Sequence, residues 1–402
     1  MQNIVITGMG IVSALGNGVN ETLQALQTHT SGVGALRYLQ TSHTEFPVGE
    51  VKMTNEEMMN LLGIAETVPT TRTSLMGMLA LKETLEQARL NSTNQLRIAF
   101  INGTTVGGMD KSEQFYLDFL ENNTHNEYIS THDCGACSEM IADYFGIFSQ
   151  IDTISTACSS AANAIVLGAE LLKSGRADIV VAGGCECISK FHLNGFNTLM
   201  ILDREPCRPF DATRAGLNLG EGAAYVVLES EESAQKRGVT PLSTLLGYAN
   251  TCDAFHQTAS SPEGEGAYLA MKKALENAGL TPEHIDYINA HGTGTQNNDA
   301  SEGTAIVRLF GETPPPVSSI KAFTGHTTSA AGSVEAVICN LALQHNFIPV
   351  NLNFSTRIAE LPFEPYYGSP SQIASRTLPI KTILSNSFGF GGNDTSLIFS
   401  KL

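Results

Sequence analysis

The chain has 402 residues, with 23 Lys and Arg against 40 Asp and Glu, for a formal net charge of −17. Protonating all ten His would still leave it acidic, which excludes a generic nucleic-acid binder and a polybasic membrane-surface protein. A hydrophobic content of 42% with only 16% charged residues describes a packed globular chain, and no apolar run is long enough to span a bilayer.

The first residues carry no basic stretch leading into an apolar one, and eight scattered Cys are too few for a disulfide scaffold. Both point to the cytoplasm, with reduced thiols. Ile4–Thr7 reads as a buried strand, and Thr7-Gly8-Met9-Gly10 after it looks at first like a dinucleotide fingerprint. The third glycine is missing and no acid stands at ribose-binding distance, so no nicotinamide cofactor is expected. Thr73–Ala88 has helical apolar spacing, and Arg97–Ile101 reads as the next strand. Cys134-Gly135-Ala136-Cys137 has CxxC spacing but lacks a second pair at zinc-site distance, so core thiols and no metal are expected.

Ile151–Ser155 reads as a strand that feeds a helix over Ser159–Lys173, and Ile179–Ala182 and Ala223–Leu228 are further strands. Lys236–Pro241 is loop-like, which places a boundary between halves 1–240 and 241–402. A helix over Gly266–Ala278 precedes a strand over Ile285–Asn289, and Lys381–Ser385 and Thr395–Phe399 close the chain as strands. Helices alternating with strands predict an α/β fold of parallel βαβ units. The halves echo each other weakly. Ala157-Cys158-Ser159-Ser160-Ala161-Ala162 aligns with His326-Thr327-Thr328-Ser329-Ala330-Ala331, each opening a helix with small residues that allow close packing.

Cys158 stands apart from the other thiols, at a strand-to-helix turn where a helix N-terminus lowers a thiol pKa and exposes the sulfur. A buried structural thiol is the alternative at this point. His291, in Asn289-Ala290-His291-Gly292-Thr293-Gly294-Thr295, and His326, in Lys321-Ala322-Phe323-Thr324-Gly325-His326, occupy glycine-flanked turns where a ligand can come close. Ser385–Asp394 places three Gly around two Phe, giving a movable loop with free N–H groups and an aromatic gate.

Together these four pieces resemble the β-ketoacyl-acyl-carrier-protein synthases, the type II elongating condensing enzymes of the thiolase superfamily. The resemblance runs over the whole chain, with Arg208-Pro209-Phe210-Asp211, Gly220-Glu221-Gly222, Asp253 and the pair Asp299 and Glu302 as lesser matches. It implies a duplicated, five-layered α-β-α-β-α sandwich and an acyltransferase that carries out decarboxylative Claisen condensation with malonyl units. Cys158 matches the acylated nucleophile, and His291 and His326 match the pair that promotes decarboxylation. Lys321 and Glu335 match the lysine and buried acid behind them. The N–H groups of Cys158 and Phe388 match the oxyanion hole, Phe390 matches the gate, and Thr293 and Thr295 match the pantetheine contacts. No cofactor is implied beyond the phosphopantetheine of an acyl carrier protein. The implied assembly is a homodimer, or a heterodimer with a chain-length-factor-like subunit in a specialised polyketide or aryl polyene pathway.

Named residues argue against the rivals. A chain-length factor lacks the cysteine, a decarboxylase-only relative carries Gln there, and a degradative thiolase has a second Cys in its last loop. The departures lie in Asn393-Asp394, where the family loop usually ends in Asn, in the poorly matching 111–147 stretch, and at Val106, where a bulkier residue often limits the acyl pocket. Because carrier proteins are themselves acidic, docking on a chain of net charge −17 needs a local positive patch. Arg204 and Arg72 lie in segments that match the family's docking surface.

Overall fold

The computed structural model describes residues 3–90, 96–375 and 379–402. Its strands are β1 (Ile4–Ser13), β2 (Gly16–Asn17), β3 (Ile98–Gly103), β4 (Gln150–Ile154), β5 (Ile179–Glu186), β6 (Gly222–Ser230), β7 (Ser243–Cys252), β8 (Tyr287–Asn289), β9 (Val317–Ser318), β10 (Thr382–Gly389) and β11 (Asn393–Ser400). The helices before β6 are α1 (Val19–Gln27), α2 (Asn55–Leu62), α3 (Arg72–Gln87), α4 (Met109–Glu121), α5 (Cys134–Phe145), α6 (Ser160–Lys173) and α7 (Lys190–Thr198). After it come α8 (Glu231–Arg237), α9 (Glu265–Ala278), α10 (Gln296–Phe310), the single turn α11 (Lys321–Thr324), α12 (Ala331–His345) and α13 (Pro370–Ser375). None of these helices is long and apolar enough to cross a membrane.

The strands run in the order β4-β3-β5-β6-β1-β7-β11-β10-β8-β9, with β2 folded back on β1. β3 is parallel to β4 and β5, while β6 is antiparallel to both β5 and β1. On the other side β8 is parallel to β9 and β10, while β11 is antiparallel to both β10 and β7. Setting the small hairpin strand β2 aside, each half therefore has the same strand order and the same directions. This is the expected duplication, written in topology. The two sheets join at one edge, where Ile4–Ile6 pair with Ser243–Leu245. The expectation of parallel βαβ units holds only for three strands of each half, because the remaining connections return as antiparallel neighbours.

Three apolar cores fill the five layers. Outer helices α3 and α5 cover one face of the first sheet, with Leu75, Met76, Ile141, Phe100 and Tyr225 among the contributors. Outer helices α9 and α10 cover the second sheet. The middle layer is α6 and α12, and every residue of α12 from Ala331 to Leu343 is buried. A helix buried on all sides needs small residues at its contacts, and a Cβ on Gly332 would lie 2.7 Å from the Cβ of Ala162 on α6.

Two glycine readings change. Gly8 and Gly10 lie inside β1, so they do not form a turn after a strand. A Cβ on Gly10 would meet Ala80 O at 2.2 Å, and one on Gly8 would meet Thr84 O at 2.6 Å, so both let α3 lie close on the sheet. The helical echo also shifts register by two residues. Ala157 (φ 52) and Thr328 (φ 47) are the matching left-handed corners, each three residues ahead of its middle-layer helix. Cys158 thus corresponds to Ser329. Lys236 and Arg237 end α8, and the loop begins at Gly238, whose left-handed φ of 67 caps that helix.

Candidate active site

Cys158 sits on the corner between β4 and α6. Ala157 holds a positive φ there, a conformation costly for a residue with a Cβ and sustained only by its surroundings. Those surroundings are specific. Ser160 Oγ donates to Ala157 O (2.6 Å), Ser159 Oγ donates to Thr156 O (2.8 Å), and Asn163 Nδ2 donates to Thr156 Oγ1 (2.9 Å). Thr395 Oγ1 on β11 in turn donates to Asn163 Oδ1 (2.7 Å), tying the corner to the second half.

The histidines come from the second half. His291 follows β8, and its loop is pinned by two buried acids of α10. Glu302 accepts from the N–H groups of His291 (2.9 Å) and Gly292 (2.8 Å), and Asp299 accepts from Gly294 N (3.1 Å) and Phe210 N (2.7 Å). Burial pushes the Glu302 carboxyl up to about 7. His326 is held against the first half, donating its N–H to Asn218 O (2.7 Å) and accepting from Gly220 N (2.9 Å). A Cβ on Gly220 would stand 2.3 Å from Thr324 O, so only glycine allows that approach.

The structure brings these groups together. His326 Nε2 lies 3.1 Å from Cys158 Sγ, and the two imidazole rings meet edge-on with centroids 5.3 Å apart. Burial, and then the Lys321 charge, hold both histidines well below the ordinary imidazole range, so both rings are neutral. Lys321 is buried, its Nζ 2.5 Å from Glu335 Oε1, 2.5 Å from His291 O and 3.3 Å from His291 Nδ1. An ammonium group can only donate, so His291 Nδ1 accepts and its proton resides on Nε2. Among the described residues, His326 Nδ1 has no hydrogen-bond partner, so nothing fixes which of its nitrogens carries the proton. Thr293 and Thr295 are hydroxyl to hydroxyl at 2.9 Å and line the same cavity, whose volume is about 480 Å³.

Three site expectations need correction. The Cys158 thiol is pushed up to about 11, because burial outweighs the Lys321 charge and the nearby N–H groups. It rests as a thiol and needs a base. The chain N–H that reaches its sulfur, beside its own, belongs to Phe390 and not to Phe388. Phe388 instead turns its ring toward His291, 5.8 Å away. Arg72 is the third. Its side chain is only 11% exposed, and it donates to Glu221, Val51 O, Met53 O and Asn55 Oδ1, which leaves nothing for a docking partner. Arg204 is exposed, three residues beyond Ile201 in the cavity wall. Val106 is buried and is absent from that wall. Cys134 caps nothing and is half-buried, while Cys137 Sγ lies 3.8 Å from Cys185 Sγ. Among the described residues no cluster suited to a metal is present.

The gate itself is larger than one residue. The Phe390 ring stacks on Phe196 at 6.0 Å with planes 21° apart, and Gly391 and Gly392 take φ values of 80 and 77. Gly389 lies flat on the Cys158 corner, where a Cβ would be 3.0 Å from Thr156 O and 3.2 Å from Cys158 N. Nothing in the local sequence singles out Phe196, since its partner lies far along the chain.

Residues 1–234 match the beta-ketoacyl synthase N-terminal domain and residues 242–355 match the beta-ketoacyl synthase C-terminal domain. The 3-oxoacyl-[acyl-carrier-protein] synthase 2 of Coxiella burnetii is 34% identical over 421 residues, spanning 100% of this chain and 99% of that protein. Among solved structures, the ishigamide ketosynthase/chain length factor superposes with a TM-score of 0.89 at 29% identity, covering 100% of this chain and 99% of that one. A ketosynthase from Xenorhabdus doucetiae, solved in complex with its chain length factor, superposes with a TM-score of 0.85 at 32% identity and 100% and 98% coverage. With both family domains matched across most of its length and a Cys–His–His site at their meeting point, the chain belongs to the beta-ketoacyl synthase family.

Proposed function

We propose that the chain is a β-ketoacyl-acyl-carrier-protein synthase that lengthens an acyl chain by two carbons, working in the cytoplasm on substrates carried by acyl carrier protein. The observation that carries this reading is the neutral His326 nitrogen 3.1 Å from a protonated Cys158 thiol, with a second neutral imidazole facing the same cavity. His326 Nε2 takes the thiol proton as the sulfur attacks the acyl thioester, and returns it to the departing pantetheine sulfur. The N–H groups of Cys158 and Phe390, which reach the sulfur, are the donors this reading assigns to the oxyanion of that step.

The second substrate, a malonyl thioester, enters past Thr293 and Thr295. His291 Nε2–H donates to its thioester carbonyl, and His326 is the second donor, free to change tautomer because its Nδ1 is unpartnered. Two donors at that oxygen stabilise the enolate formed as CO₂ leaves. The enolate carbon then attacks the acyl-Cys158 carbonyl, the new carbon–carbon bond forms, and the Cys158 thiolate departs and is reprotonated. Lys321 is a positioning residue, setting the His291 tautomer. Holding both acyl groups in one small cavity replaces a bimolecular encounter with a local reaction.

A second subunit is part of the proposal. Edge strand β4 leaves Ile151 37% exposed, and α4 separately turns Tyr116, Leu117 and Leu120 to solvent, apolar surface that a homodimer partner or a chain-length-factor-like subunit would cover. The heterodimer reading is favoured by the likeness to the ishigamide ketosynthase/chain length factor and to the Xenorhabdus doucetiae ketosynthase in complex with its chain length factor. Intact-mass analysis tests the chemistry. Incubation with a panel of acyl-carrier thioesters should add one acyl group to the wild type and none to Cys158→Ala. An acylated alanine variant, or a wild type that accepts no member of the panel, overturns the assignment.

A further inference from the structure

Asp394 is the residue at which this chain departs from its family's loop, and its surroundings are unusual. It is buried in the wall of the Cys158 cavity, at the start of β11, opposite Thr251 on β7 and Phe388 on β10. Among the described residues no donor reaches its carboxyl; its backbone is held in the ladders to β10 and β7, and its carbonyl also accepts from Thr251 Oγ1. Two other acids face it, Asp253 from the segment after β7 and Glu302 from α10. Glu265 on α9 is exposed and engaged by Arg308, and among the described residues no cation balances the Asp394 carboxyl. His256 and Cys252 are exposed on the neighbouring segment.

Asp253 and Asp394 flank one α-carbon. A Cβ on Gly266 would lie 2.1 Å from Asp394 Oδ2 and 2.7 Å from Asp253 Cβ. Asp253 Oδ1 accepts from Ser261 Oγ and Gly266 N, and Oδ2 accepts from Ser261 N alone, leaving Oδ2 a free lone pair. The same segment holds the gate. Asp253 N donates to Gly392 O (2.9 Å) and Gly391 N donates to Gln257 O (2.8 Å). The conformation is closed, with Phe390 on Phe196 and Cys158 buried.

We propose that Asp394 is the latch of the Gly389–Gly392 loop: as a neutral acid it donates its proton to Asp253 and keeps the loop shut over Cys158. Losing that proton to solvent leaves three carboxylates facing one another, and the loop releases to admit the acyl thioester. Burial, then Asp253 and Glu302, push the Asp394 carboxyl up to about 8, which puts the transition at mildly alkaline pH. Asp394→Asn keeps the shape and can donate to Asp253 at every pH, so it removes the pH-dependent release.

The test is hydrogen–deuterium exchange of the peptide spanning Ser387–Asn393, comparing wild type and Asp394→Asn at pH 6.5 and again at pH 9, where intrinsic exchange is equal within each pair. Equal exchange at pH 6.5 and roughly tenfold faster exchange in the wild type at pH 9 support the latch, as does a wild-type transition centred near pH 8. Matching exchange in both proteins at both pH values overturns it. The consequence for acyl loading rests on the condensing-enzyme reading, and the exchange measurement needs no substrate. A pH-dependent loop in a protein that loads no acyl group would sink that reading and leave the latch standing.

Discussion

The Nζ of Lys321 lies 2.5 Å from the carbonyl oxygen of His291 and 3.3 Å from its Nδ1, with Glu335 closing the buried charge pair at 2.5 Å. One lysine thereby fixes both the backbone and the proton position of a histidine. Lys321→Ala frees Nδ1 to carry the proton and leaves Glu335 buried without its partner. Release of CO₂ from a malonyl thioester should fall on the order of 10²-fold, the scale of losing one oriented donor. Acyl loading on Cys158, followed separately by mass, should fall far less.

His326→Ala removes the base next to a thiol whose pKa is about 11. Acyl loading at pH 7 should drop about 10²–10⁴-fold, the usual contribution of a positioned base. Because hydroxide can take over the base's task, the deficit should narrow as pH rises toward 10. A deficit that stays constant across that range would mean His326 does not act as the base.

Asp394 makes stability depend on pH with a definite sign. Its folded-state pKa of about 8 lies above the ordinary 3.8, so between these values the folded chain keeps a proton that the unfolded chain has released. Stability therefore falls as pH rises through that window. Asp394→Asn removes this slope, and its Tm should exceed that of the wild type by a margin that grows from pH 4.5 to pH 8.5. Thermal melts at five or six pH values suffice, and parallel curves would refute the assignment.

Phe196→Ala removes the ring on which Phe390 rests. An aromatic pair contributes about 0.5–1.5 kcal/mol beyond its buried area, so the closed gate should lose up to about tenfold in population. Alkylation of Cys158 by iodoacetamide should speed up accordingly, with little change in Tm.

The two arginines separate cleanly. Arg204→Glu should slow acyl loading from carrier protein while sparing a small pantetheine thioester, because the residue is exposed and only three positions along the chain from Ile201 in the cavity wall. Arg72→Glu should lower stability instead, since it places two acids where a buried ion pair with Glu221 now stands. Equal slowing of both thioesters by Arg204→Glu would argue against docking there.

The Cys158, His291, His326 and Lys321 positions were legible because each lies in a local motif, and Glu335 followed from the resemblance; the structure gathers the first three in one cavity and sets Lys321 and Glu335 behind His291. What depends on depth was hidden. A helix start beside a thiol suggests a lowered pKa, yet only the fold tells how completely that sulfur leaves water. Arg72 has the same letter whether it faces solvent or Glu221. The choice between Phe388 and Phe390 as the N–H donor turns on where β10 ends, and strand ends are the least certain part of any sequence reading. β7 escaped notice because Ser243–Cys252 alternates Thr, Gly and Asn with apolar residues instead of forming an apolar run.

The edge-to-edge join of β1 to β7 gives the chain an assembly order. Cys158 belongs to the part of the chain made first, and its histidines to the part made last. Until Thr395 docks on Asn163, the nucleophile's corner lacks a brace and α6 lacks the helix that covers it. A first half made alone therefore carries an uncatalytic thiol and an open sheet edge, so folding of this chain is exposed to mispairing until β7 and β11 have been made.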